Sequence, residues 1–94
     1  MRFLLVLLLT GCASITPSMC REVGVDVPNG APMTGRIVEM NVADAKKVQA
    51  VCQSPFAPKL GCTMPVAPHE YVIWATDYPR VIVHEQCHAL FEAK

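Results

Sequence analysis

Apolar and polar positions change period several times along the chain. Arg36-Ile37-Val38-Glu39-Met40 is short and β-branched at its centre, which predicts a strand. Asn41 follows, with an acid, Asp44, three positions on; the spacing resembles a capping box with Asp replacing the usual Glu. Ala45, Val48, Val51 and Cys52 then recur at helical spacing, so a helix is expected over 42–52, exposing Lys46, Lys47 and Gln49. Ser54 to Pro58 reads as a rigid loop, and 60–64 as a second strand broken by Pro65-Val66-Ala67-Pro68. Tyr71 to Thr76 is aromatic and β-branched throughout, the clearest strand signal in the chain. Asp77 is expected to cap a final helix over 79–93, with Pro79 in its first turn. Before residue 36, Pro17, Pro28, Pro32 and the pair Asn29-Gly30 read as a tether followed by a turn.

The first twelve residues, MRFLLVLLLTGC, do not belong to this pattern. One Arg precedes an apolar run from Phe3 to Leu9, too short to span a bilayer, which needs about 20 residues. A basic start, an apolar middle and small residues at a cleavage point are the layout of a secretory signal. Leu9-Thr10-Gly11-Cys12 resembles the lipobox of bacterial lipoproteins. That resemblance implies cleavage before Cys12, lipidation of its thiol, and attachment to a membrane. Ala13, not Asp, would follow the lipidated Cys12, which by the same resemblance implies the outer membrane, periplasmic face.

Charge adds little. Lys+Arg and Asp+Glu number 8 each; loss of residues 1–11 would remove Arg2 and leave 7 against 8. No basic patch points to nucleic acid. Cysteine says more. With Cys12 lipidated, Cys20, Cys52, Cys62 and Cys87 remain, an even number in a small exported domain, which reads as two disulfides. Cys52–Cys62 would close a short loop rich in Pro and Gly, leaving Cys20–Cys87 to tie the N-terminal arm to the last helix. No CxxC pair suggests a thiolate metal site.

His84, Glu85 and His88 spell HExxH in the final helix. Residues four apart lie on one helical face, about 6 Å along the axis, so both imidazoles can face one zinc ion. Glu85 then flanks the site as a general base, while zinc would activate water and polarise a substrate carbonyl. Tyr71 and Tyr78 are candidate donors to an oxyanion, Tyr78 the better placed; packing is the simpler role for both, as for Trp74.

A lipobox, a paired-cysteine middle, an aromatic strand and a terminal HExxH helix together resemble the small zincin-like lipoproteins of bacteria and their prophages. The resemblance implies an α+β fold, a short sheet with two helices stapled by disulfides, the C-terminal helix carrying HExxH. It divides the chain into a signal peptide (1–11), a lipidated tether and arm (12–34) and a zincin-like domain (35–94). It also implies a membrane-anchored zinc metallopeptidase acting on peptides or proteins in the cell envelope. The chain departs from larger zincins at the third ligand. Where one class has His, this chain has Lys94, and no later helix follows to bring a Glu. Glu92, four residues after His88, is the first candidate, and His69 the second; a partner chain is a third source. The competing reading is a non-catalytic envelope lipoprotein, serving phage exclusion or lysis, whose HExxH helix is structural. A spanin-like subunit fits less well, because such a chain needs no strong strand and helix.

Overall fold

A computed structural model describes residues 15–53 and 59–94. The segment expected to be a signal, Cys12 and the loop expected over 54–58 lie outside the described residues. Among the described residues the fold is α+β: three helices, a three-stranded sheet and two disulfides. In chain order the elements are α1 (Pro17–Glu22), β1 (Arg36–Ala43), α2 (Ala45–Cys52), β2 (Gly61–Ala67), β3 (Glu70–Thr76) and α3 (Pro79–Leu90).

β3, the strand with the clearest sequence signal, is the centre of the sheet. Its order is β1-β3-β2, with β1 parallel and β2 antiparallel to β3. Pro68 and His69 make the two-residue turn between β2 and β3. Pro at the first central position and His69 at φ 63° are the pattern of a type II turn. The two faces of β3 are used differently. Ile73 and Ala75 are fully buried against Ala89, Val81 and Ile82 of α3. Trp74 points the other way, half-buried, with the Lys47 ammonium of α2 5.8 Å from its ring centroid. Pairing puts Gly61 and Thr63 of β2 on the α3 face, and Cys62 on the α2 face, where it joins Cys52.

The segment expected to be a tether is, from Ile15 onward, part of the packed body. Ile15, Cys20, Val25 and Val27 are buried with Cys87 and Leu90 of α3. α1 starts on a Thr16 cap whose hydroxyl accepts from Met19 N–H, with Pro17 in its first turn. The proline-based reading missed it because six helical residues carry too little period to outweigh the turn signals. Cys20–Cys87 and Cys52–Cys62 are the pairs that form. α3 is therefore covered twice, by the sheet on one side and by the arm on the other. That double cover is why Glu85, Gln86, Cys87, Ala89 and Leu90 are all buried.

Several boundaries differ from expectation, among them the end of β2, which runs through Pro65 to Ala67 instead of stopping at Met64. β1 runs on to Ala43, because Val42 and Ala43 pair with Ala75 and Thr76. The N-cap of α2 is consequently Asp44, not Asn41; its carboxylate accepts from Lys47 N–H at 2.8 Å. At α3 the capping position is Tyr78, without a side-chain bond, so Asp77 does not cap. α3 stops at Leu90 instead of 93. Phe91 N–H bonds back to Cys87, and Glu92 takes the left-handed backbone region at φ 50°. No helix of the described residues is long and apolar enough to cross a membrane.

Candidate functional site

On α3, His84, Glu85 and His88 line a groove of about 770 Å³, the two histidines half-buried and Glu85 buried. Leu60 to Thr63, at the start of β2, line it as well, together with Val23 of the arm and residues 92–94.

The two imidazoles meet at their Nε2 atoms, 3.1 Å apart, with ring centroids 4.7 Å apart and planes at 77°. Each Nδ1 faces a main-chain carbonyl: His84 Nδ1 lies 2.7 Å from Val23 O, and His88 Nδ1 2.8 Å from Ala93 O. A carbonyl only accepts, so both Nδ1 atoms must carry hydrogen. In two neutral rings the Nε2 lone pairs then face each other. Such a contact is repulsive unless a cation lies between, either a proton on one Nε2 or a metal ion. Two ligands about 2.0–2.1 Å from one zinc ion leave their nitrogens at about this separation. Anchoring of the far ring nitrogen to a carbonyl is also how metal-bound histidines are held.

Glu85 is buried, and its carboxylate sits over β2. Thr63 Oγ1 is 2.8 Å from Glu85 Oε1 and 3.0 Å from the Glu85 carbonyl. Gly61 makes the room. A Cβ there would come within 2.9 Å of Glu85 Cγ and 3.0 Å of the Trp74 carbonyl. The base candidate is thus held by one oxygen from a strand that also lines the groove.

Glu92 and His69 come together with each other, not with the histidine pair. Glu92 accepts from Thr34 Oγ1 at 2.5 Å, Tyr71 OH at 2.7 Å and His69 Nδ1 at 2.9 Å. Those hydrogen bonds, from Thr34 first and then Tyr71 and His69, hold its carboxyl at about 2, well below the ordinary 4.5. The Tyr71 phenol is pushed up by the same bond to Glu92. Glu92 misses the histidines because the helix that would have carried it onto their face has ended two residues earlier. Among the described residues no three His, Cys, Asp or Glu side chains gather as a metal-binding group. Tyr78, 60% exposed, does not line the groove.

Thr63, Val23 and Ala93 had no place in the sequence reading. The last two act through their carbonyls, which leave no trace in residue type. Thr63 had only its alternation on β2 to announce it. Comparisons with protein-family models, with curated proteins and with solved structures give no match.

Proposed function

We propose that the chain is a lipid-anchored envelope protein whose HExxH helix binds zinc through His84 and His88 and hydrolyses peptide bonds. The observation that carries the reading is the carbonyl-anchored histidine pair, its Nε2 atoms 3.1 Å apart in an open groove. Zinc held there supplies a Lewis acid for a substrate carbonyl. Glu85, beside the pair and steadied by Thr63, is the group to take a proton from water and return it to the leaving amine. An extended peptide would lie in the groove along 60–63. The wall of the groove carries Lys59, Arg80 and Lys94, which favour acidic residues in such a peptide. The remaining zinc positions are left to water, substrate or a partner chain.

The absence of a three-residue metal group among the described residues favours a second reading. In it the same pair binds zinc, or a proton, without catalysis, and the protein serves as an envelope interaction module. Metal content of the oxidised full-length chain, beside His84→Ala/His88→Ala, tests first whether the pair binds zinc at all. One zinc per chain, lost in the double variant, is expected. Hydrolysis of unstructured peptides by the zinc form, abolished by Glu85→Gln with zinc retained, then marks the enzyme. A folded, zinc-supplemented chain that holds no metal overturns both zinc-binding readings.

A further inference from the structure

Glu92 sits in a conformation that a side chain takes only under constraint. Its φ of 50° costs about 1–2 kcal/mol for a residue with a Cβ, and such strain persists where surrounding contacts over-determine it. Those contacts come from three separate parts of the chain. Thr34 ends the arm, Tyr71 lies on β3, and His69 is in the β2–β3 turn; all three donate to the one carboxylate. Beside it, Gly35 N–H donates to the Leu90 carbonyl at 2.9 Å, stitching the arm to the end of α3. The next residue along is Ala93, whose carbonyl receives His88 Nδ1–H.

From this arrangement we infer that Glu92 is a positioning residue for the histidine pair: by clasping the chain after α3 it aims the Ala93 carbonyl at His88, and so sets the metal affinity. The inference rests on the zinc reading above and gives Glu92 a role one step removed from the metal. Loss of Glu92 leaves both imidazoles in place but frees the chain that fixes the tautomer of one of them. With Ala93 free to move, His88 can carry its hydrogen on either nitrogen, and the form with hydrogen on Nε2 cannot bind a metal there. Outer partners of metal-bound histidines typically contribute about 10–100-fold in affinity.

Thr34 provides the discriminating variant. It belongs to the clasp but does not line the groove. The experiment measures zinc affinity by chelator competition in the oxidised full-length chain, wild type beside Glu92→Ala, Glu92→Gln and Thr34→Val. Nitrogen NMR of the metal-free proteins reads the His88 tautomer, and a thermal melt confirms folding. Glu92→Ala is expected to weaken zinc about 10–100-fold and Thr34→Val by a smaller factor. Both should raise the population of the His88 form with hydrogen on Nε2. Glu92→Gln keeps an oxygen for Tyr71 and Thr34 and should fall between wild type and Glu92→Ala. If Glu92 were itself a ligand, Glu92→Gln would match Glu92→Ala and Thr34→Val would bind as wild type; that result overturns the positioning role. An unchanged His88 tautomer in folded Glu92→Ala overturns it as well, with the zinc reading intact. Failure of the wild type to bind zinc defeats the zinc reading and this inference with it.

Discussion

At the scale of single residues, the chemistry of this chain depends on which atom faces which. His84 and His88 were legible because their spacing is a property of any helix; the direction of their Nε2 atoms was not, since it is set by two carbonyls outside that helix. Glu92 shows the same limit from the other side. Its spacing from His88 is right for a shared face, yet a left-handed backbone turns it to Thr34, Tyr71 and His69. Its carboxyl titrates at about 2 instead of 4.5, so folding favours the ionised form. The stabilisation is therefore complete above the unfolded value and lost as pH falls from about 4.5 through about 2. Protection of the amides at 91–94, measured against their intrinsic exchange rates at each pH, is expected to fall across that window. Glu92→Gln should remove the pH dependence of that step while leaving the rest of the molecule folded.

Elements were read well where one period dominates and poorly where a short segment is defined by its neighbours. β3 and the start of α3 follow from residue type and from Pro79. α1 does not, because its reason for being helical is Cys20 and the apolar residues that meet α3. The end of α3 is likewise decided from outside, by the approach of Gly35. A Cβ on Gly35 would lie 1.8 Å from the Ala89 carbonyl oxygen and 3.0 Å from Glu92 Cγ. Neither backbone can yield without breaking the Gly35–Leu90 bond, so Gly35→Ala should destabilise by more than about 2 kcal/mol. Chemical denaturation will show it as a lower midpoint with an unchanged slope. Full stability in that variant would mean that the arm does not dock on α3 as described. At Gly61 a Cβ would lie 2.9 Å from Glu85 Cγ and 3.0 Å from the Trp74 carbonyl oxygen, a milder clash than at Gly35, so alanine there should disturb the site before it disturbs the fold.

For the whole molecule, the two disulfides act on very different lengths of chain. Cys20–Cys87 spans 67 residues and Cys52–Cys62 spans 10. Loop-closure entropy assigns about 4 kcal/mol to the first and about 3 kcal/mol to the second. Paired Cys→Ser variants should therefore lose stability in that order in urea. The long bridge should cost still more than the difference, because Cys20 and Cys87 are both fully buried in the core. The count of cysteines made two bridges legible; the fact that one of them pins the arm beside His84 was not, since Val23 carries no signal of its own. That placement has a consequence for how the site depends on the fold. The two carbonyls that aim the histidines belong to residues 23 and 93, far apart in sequence and on different segments. A variant lacking either the arm or the tail would keep both imidazoles and lose the aim of one. Whatever chemistry the groove performs should then behave as a logical AND of two distant segments, silent until both have docked.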